Sequence, residues 1–480
     1  MHSHDNMISY NVAVDKITAF AEEVVSTSLA IEELPLLKAL DRVAAKDVRG
    51  PEGPEGTLPR WDNSAMDGIC VNARHIASAQ AKLAAAAGED GESEVKIRSL
   101  GRVVAGDAPP TFTPNMWDYE DGDIVCYEIM TGAPVPKGNF FDSVIKIEDL
   151  GRTRLVRQIE EDVEPEQSIF TLPFTTHILQ GQHIRRAGED IPAGYLLLSK
   201  GTLITPGHIA LLASFGILRV SVPRRPRIAI ITTGKELTST TSATPTTSSL
   251  AAGRIFDTNG PYLFSTLLST HLLSASDITL LPSRNDSPEH FEELVLTHVL
   301  GSETKYDVVI STGAVSMGVH DFVPAAVRRL GFDVGFHHLG IKPGHPALFA
   351  TLPKGERQGG VAFFALPGNP GAVGATERFL VRPYLRTLLG LPREGPTFAT
   401  LLQPSHICKK VGTRNWLKAR FVRSTSNDEG LGVEVLDKMQ GSGMMRGLAE
   451  GDCYVELLEG AESVQSGQRV RCWRFGGEGV

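Results

Sequence analysis

Acidic side chains stand where apolar runs give way to small or polar residues: Glu236 after RIAIITTG, Asp257 in IFDTNG, Asp286 after DITLLPS and Asp321 at the end of ISTGAVSMGVHD (310–321). The runs read as strands, and in a parallel sheet ligands gather at the carboxyl ends of strands. The segment 310–321 puts the hydroxyls of Ser311, Thr312 and Ser316 and the small residues Gly313, Ala314 and Gly318 in one loop. That composition suits a backbone N–H cradle for phosphate, and it equally suits a tight structural turn. A serine nucleophile fits worst, because the residues around Ser316 read AVSMG rather than GxSxG and only His320 lies close in sequence as a base. GxxxxGK[ST] and GxGxxG are both missing. Carboxylates beside phosphate repel it unless a cation intervenes, and Mg²⁺ suits such oxygen ligands. Lys342 in IKPGHP, and Arg185 and Arg186 before Gly188-Glu189-Asp190, supply charge for an oxyanion. Taken singly, each acid also reads as a helix cap or surface residue, Asp257 before Asn259 and Gly260 and Asp321 before the next helix. Asp62, Ser64 and Asp67 crowd RWDNSAMDG more densely than a plain turn requires.

The elements that must position these residues follow from periodicity. Val12–Ser26 carries apolar residues at helix spacing, and Leu36–Val48 reads as a second short helical element. Strand-like pieces (VKIRSL, DIVCYEIM, DSVIKIEDL) imply a small β-rich domain over about 50–155, with an Ala/Gly/Glu-rich insertion at 78–94 read as a helix with a mobile tail. HIALLASFGI reads as a helix and LRVSV as a strand; PRRPR (223–227) marks a boundary. From there strands and helices alternate: RIAIITTG, GPYLFSTLLSTHLL, DITLLPS, PEHFEELVLTHVL, YDVVISTG, DFVPAAVRRLG, DVGFHHL, VAFFALPGNP and a long helix to about 388. Such repetition predicts a mostly parallel sheet with helices on both faces. The Thr/Ser-rich stretch 238–249 interrupts it as a mobile loop, and a terminal β-domain is expected over about 395–480.

The length of 480 residues allows two to four domains, and the net charge of -9 offers no general attraction to nucleic acid or anionic lipid. The cysteines are scattered without a CxxC pair, the N-terminus has no apolar core of signal length, and no run of about 18 apolar residues occurs. A soluble, cytoplasmic protein without membrane or nucleic-acid partners is expected.

Read in order, DNSAMDG (62–68), MTGAPVPKG (130–138), IRRAGEDIPAG (184–194), RPRIAIITTGKEL (225–237), IFDTNGPYL (255–263), STGAVSMGVHD (311–321), IKPGHP (341–346), LPGNP (366–370) and QGSG (440–443) resemble the motif series of the molybdopterin molybdotransferases, the MoeA-type proteins related to the E domains of gephyrin and of plant and fungal molybdenum-cofactor proteins. The resemblance implies an α/β multidomain fold. It comprises a discontinuous elongated domain (7–49 and 156–222), an inserted β-rich domain (50–155), a Mog-like three-layer α/β molybdopterin-binding domain (223–392) and a C-terminal β-barrel-like domain (395–480). It implies a homodimer whose cleft uses both subunits, and a reaction joining molybdate to adenylated molybdopterin with release of AMP, assisted by Mg²⁺. Asp67, Thr131 and Asp190 would face the cleft from the first two domains. Glu236, Asp257 and Asp286 would support metal or adenylate chemistry. Ser311, Gly313, Ser316, Gly318, Asp321 and Lys342 would hold the pterin phosphate region, with Pro367 and Pro370 shaping the adjoining turn. Transient contact with molybdopterin adenylyltransferase or apo-molybdoenzymes is implied as well. The chain departs from the family pattern at Ile69, Lys235, Val319 and His345, which replace a tyrosine, an acid, an acid and a lysine common among relatives. Two other readings remain at this point: an altered molybdopterin-binding scaffold, and the adenylyltransferase of the preceding step, which would need neither the N-terminal assembly nor the terminal β-domain.

Overall fold

A computed structural model describes residues 7–27, 29–86, 94–112, 124–138, 140–150, 169–173, 175–238, 250, 252–282, 287–301, 306–316, 321–352, 360–403, 412–423, 430–461 and 464–476. The stretch 239–249, the tail 87–93 and the residues Asp286, Gly318, Val319 and His320 lie outside them. The chain forms two compact bodies, one made of Met1–Asp47 with Leu198–Val480 and the other of Val48–Leu197.

In the first body, Ile228–Thr232 (IAIIT), Val308–Thr312 (VVIST) and Val361–Leu366 (VAFFAL) are buried throughout. Continuous β-branched and aromatic runs of this kind suit strands covered on both faces. They pair in parallel, with Ile278–Pro282 beside Ile228–Thr232. Beyond Val361–Leu366 the six-stranded sheet continues antiparallel through Leu348–Leu352 and Asp333–His337. Sequence periodicity does not single out Leu348–Leu352 as a strand.

Alternation along the strands divides the core in two. Ile228, Ile230, Val308, Ile310 and Phe364 join Leu263 and Leu267 of the helix Asn259–Ser269, Tyr384 and Leu388 of the helix Arg382–Leu388, and Ile17, Phe20 and Ala21 of the helix Tyr10–Thr27. Ala229, Ile231, Val309 and Phe363 face Phe291, Leu294 and Val295 of Pro288–Val295 and Val323, Ala326 and Val327 of Val323–Arg329. This is the three-layer arrangement that the β-α pattern predicts. The expected long helix to 388 is also present, as Pro370–Thr376 and Arg382–Leu388 joined by a π-turn at Glu377–Val381.

The helix expected over Leu36–Val48 is replaced by a short 3-10 turn, Leu36–Lys38, and extended chain. The Asp41 and Ala44 N–H groups donate to the carbonyls of Ile204 and Thr202. Long-range partners satisfy a backbone that a helix would have satisfied internally, so tertiary pairing overrides the local pattern.

The strands Arg414–Arg423, Leu431–Val435, Thr397–Leu401, Arg469–Arg474 and Cys453–Leu457 close into a barrel through the pairing of the first with the last. The short strand Ile341–Lys342 adds to its edge, parallel to Arg414–Asn415.

The second body is built on the sheet of Ser143–Lys146, Gly68–Val71, Ile124–Ile129, Glu94–Val103 and Ile169–Pro173, with the helix Ala73–Ala86 against it. Ile169–Pro173 pairs with Glu94–Val103, so this sheet reaches past the boundary expected near 155. Among the described residues, Cys70, Cys126, Cys453 and Cys472 are free and buried, and no helix is long and apolar enough to cross a membrane.

Candidate active site

The parallel strands end level with one another: Thr232 lies opposite Pro282 and Thr312, and Thr312 opposite Leu366. Three loops therefore leave the sheet together, and hydrogen bonds knit them. The Thr233 N–H donates to the Thr312 carbonyl at 3.0 Å, and Gly313 N–H to the Leu366 carbonyl at 3.1 Å. Thr233 Oγ1 adds a second bond to the Thr312 carbonyl at 2.9 Å. Gly313 takes φ +90°, and a Cβ there would meet Thr233 Oγ1 at 2.7 Å. Only glycine fits both that conformation and that approach.

Asp257 follows the strand Ile255–Phe256, which pairs with Leu237–Thr238 just after Glu236. Its Oδ1 accepts from the Asn259 and Gly260 N–H groups, both at 3.1 Å, which are the first free donors of the next helix. Its Oδ2 accepts from Thr232 Oγ1 at 3.0 Å. Asp257 thus caps a helix and faces the sheet end at the same time. Glu236 is exposed, and its carboxylate folds back over Gly234, 2.8 Å from where a Cβ on that glycine would lie.

Ser311 and Thr312 are buried, and their hydroxyl oxygens have no hydrogen-bond partner among the described residues. Buried hydroxyls without partners at a strand end need explaining, and a ligand oxygen supplies one answer. Ser316 is exposed, Asp321 half-buried, Pro367 buried and Pro370 half-buried. Asp321 stands two residues before the helix Val323–Arg329, whose capping position is occupied by Phe322 without a side-chain bond. Lys342 is exposed on its short strand. His337 Nε2 lies 2.9 Å from the Val315 carbonyl and its ring stacks on His338 at 3.8 Å. This ties the loop after Thr312 to the turn carrying Lys342. Burial lowers the pKa of both His337 and His338.

In the second body, segments far apart in sequence form a common ladder. Asn63 and Ser64 pair with Arg185 and Ile184. The Gly132 N–H donates to the Ser64 carbonyl at 2.8 Å, and the Val135 N–H to that of Asp62 at 2.9 Å. Asp67 Oδ1 accepts from the Thr131 N–H at 2.7 Å, so these residues come together as a pair. Asp190 is exposed and is held through its N–H to the Leu58 carbonyl at 3.1 Å. Asp62 is occupied structurally, accepting from Arg186 at 2.6 Å and from the Ala187 N–H at 2.8 Å.

The N-terminal region of the MoeA family matches residues 8–216, a probable molybdopterin-binding domain matches 229–387, and the MoeA C-terminal region matches 406–475. A molybdopterin molybdenumtransferase from Synechococcus elongatus is 32% identical over 464 residues, covering 97% of this chain and 98% of the relative. The chain belongs to the molybdopterin molybdenumtransferase family. The Haemophilus influenzae member is 29% identical, with 92% of each chain covered. The crystal structure of a molybdopterin biosynthesis MoeA protein from Pyrococcus horikoshii superposes with a TM-score of 0.68 at 25% identity, covering 98% of this chain and 100% of that one.

In this member of the family, the sheet end also gathers residues that spacing did not single out. Asn259 is buried, and its amide donates to the Gly368 carbonyl at 2.8 Å, joining the Asp257 turn to the LPGNP turn. Ser442 of QGSG reaches the same turn, accepting from Asn369 at 3.2 Å. QGSG is visible in the sequence as a motif, but nothing in its spacing places it at the sheet end.

Proposed function

We propose that this chain inserts molybdate into molybdopterin delivered as its adenylate, releasing AMP and leaving molybdenum on the dithiolene. The observation that carries the reading is the knitted sheet end, where Asp257, the partnerless hydroxyls of Ser311 and Thr312, and the LPGNP turn stand at the ends of neighbouring strands. In the reaction, water adds to the phosphoanhydride and the bond between the adenylate phosphate and the pterin phosphate breaks. Ser311, Gly313, Ser316, Gly318, Asp321 and Lys342 hold the pterin phosphate region, and Pro367 and Pro370 shape its wall. Hydroxyl and N–H donors aimed at developing phosphate charge lower the barrier by about 3 kcal/mol each in favourable sites. Asp67, Thr131 and Asp190 would face the cleft from the first two domains.

Among the described residues no group of three or more His, Cys, Asp or Glu converges as a ready-made metal site. Mg²⁺ needs less, since it takes one or two carboxylates and completes its shell with water and substrate phosphate. The carboxylate of Asp257, held at the sheet end by Thr232, offers hard oxygens that suit it, and with Glu236 and Asp286 it would hold the ion. Bound there, the ion offsets phosphoryl charge and polarises the anhydride. A homodimer, a cytoplasmic setting and transient contact with the adenylyltransferase or with apo-molybdoenzymes belong to the same proposal. So does the four-part domain organisation.

The test supplies the purified protein with adenylated molybdopterin, Mg²⁺ and molybdate. It measures AMP and the transfer of active cofactor to an apo-enzyme. Molybdate-dependent AMP release is expected. Folded protein that retains the ligand without releasing AMP would instead be a binding module, and the assignment would fall. Light scattering on the eluting protein checks the dimer.

A further inference from the structure

The helix Asn259–Ser269, which starts beside Asp257, ends at the opposite end of the six-stranded sheet. There Arg225 Nε donates to the Leu272 carbonyl at 3.2 Å, just ahead of the strand Ile228–Thr232. A cavity of about 390 Å³ opens beside Leu272, at the amino end of that strand and away from the loops described above. Three segments wall it: the chain at Asp41 paired with that at Thr202, the turn after the helix, and the stretch from Arg386 to Glu394. A Cβ on Gly201 would lie 2.9 Å from the Gly390 carbonyl, so the first and third segments touch. The volume suits a small organic molecule.

Much of the charge in the wall is already paired. Glu394 meets Arg378 at 2.5 Å and Arg386 Nη1 at 3.2 Å, and Arg382 meets Glu377 at 3.1 Å. Four polar groups of the lining have no hydrogen-bond partner among the described residues: the Asp41 carboxylate, the Thr202 hydroxyl, the His271 ring and Arg386 Nη2. Two of these residues are held at positive φ, Asp41 at +60° and His271 at +58°. His271 follows the end of its helix, where glycine reaches that conformation without strain. Strained positions that keep a side chain gather at ligand clamps. Leu203, Leu272, Leu391 and Pro392 supply the apolar part of the lining. An anionic acceptor, a cationic donor and hydrocarbon surface in one cavity complement a zwitterion with an apolar side chain. A plain anion would leave Asp41 unanswered, and a plain cation would leave Arg386 Nη2 so.

We propose that this cavity is a second ligand site, for a free α-amino acid with an apolar side chain. Its ammonium donates to Asp41 and Thr202, its carboxylate accepts from Arg386 Nη2 and His271, and its side chain lies against Leu203, Leu272 and Leu391. The site stands apart from the candidate active site and does not depend on the reaction assigned there.

The test titrates the full chain calorimetrically with L-leucine, L-methionine and L-phenylalanine. Saturable binding of one molecule per chain is expected for at least one of them. For the amino acid that binds, the matching amino alcohol, which lacks the carboxylate, and the matching carboxylic acid, which lacks the ammonium, should each bind about tenfold more weakly or worse. Asp41→Asn keeps a residue that tolerates positive φ and removes the charge, so it should fold as wild type and lose about tenfold in affinity. Leu203→Trp fills the cavity and should abolish binding. His271→Gly separates a ligand role from a structural one: relief of the positive φ should raise the melting midpoint while affinity falls. No binding of any of the three amino acids at about 10 mM, the weak end of specific recognition, overturns the proposal. So does an amino alcohol that binds as tightly as its parent, or wild-type affinity in folded Asp41→Asn and Leu203→Trp. Binding is read without turnover, so absence of AMP release would defeat the assigned reaction and leave this result standing.

Discussion

Asp257 holds the end of a strand and the start of a helix with one carboxylate, through Thr232 on one oxygen and the Asn259 and Gly260 N–H groups on the other. An asparagine keeps a capping oxygen but loses the charge. Asp257→Asn should therefore fold with a melting midpoint within a few degrees of wild type while AMP release drops at least tenfold; equal turnover would remove the metal-side role. Asp257→Ala loses the cap as well and should cost about 1 kcal/mol more, read from the urea midpoint. Gly313 is the other sensitive position. A side chain there meets both the positive φ and the Thr233 hydroxyl at 2.7 Å, so Gly313→Ala should destabilise by about 1–3 kcal/mol and weaken pterin binding in the same protein. A variant with unchanged midpoint and affinity would contradict the close approach.

Among the elements, the segment from His337 to His345 links two loops of the site. Burial is the largest influence on both His337 and His338 and lowers their pKa values. For His337 the Val315 carbonyl and Asp321 oppose that effect, and Arg328 and His345 reinforce it. A histidine whose folded pKa lies below its unfolded value of about 6.5 binds fewer protons when folded, so its contribution is complete above that pH and is lost as pH falls through the folded value. The urea midpoint should drop between pH 7.5 and pH 5, and His337→Gln/His338→Gln should flatten that slope; an equally steep slope in the double variant would place the effect elsewhere. The helical run Pro370–Leu388 carries a different load. Glu377 and Arg382 pair at 3.1 Å with both side chains 1% exposed. Removing one partner of such a pair leaves a buried charge, so Glu377→Ala should cost about 3–5 kcal/mol in thermal or urea unfolding.

At the scale of the molecule, the two bodies differ in what they need. Val48–Leu197 has its own cores, around Ile69, Val95 and Ile145 and around Cys70, Val125 and Val144. Its ends are held together, the Gly50 N–H donating to the Tyr195 carbonyl at 2.9 Å. A 48–197 fragment should unfold cooperatively and give dispersed amide resonances; a collapsed spectrum would show that its core is insufficient. The other body does not divide in this way. Arg378 and Arg382 donate to the carbonyls of Arg474, Phe475 and Gly476, all at 2.8 Å, and Phe379 stacks on Trp416 with ring centroids 3.6 Å apart. A chain ending at 395 would strand those guanidinium groups and that aromatic face, and it should aggregate on expression.

The parallel sheet could be read from the amino-acid order because burial on both faces demands runs such as IAIIT and VAFFAL, and local periodicity records burial. The acids at Glu236 and Asp257 and the loop from Ser311 were visible for the same reason, since they end those runs, and the ordered motifs identified the family. Periodicity says nothing about which distant backbone will accept a hydrogen bond. It therefore expected a helix at Leu36–Val48, where Ile204 and Thr202 supply the partners instead. It passed over Leu348–Leu352, whose place is set by pairing with Val361–Leu366. It also left QGSG in a separate terminal domain. The contact of Ser442 with Asn369 and Gly371 joins residues more than seventy positions apart, and only the closed barrel packed against the helix after LPGNP brings them within reach.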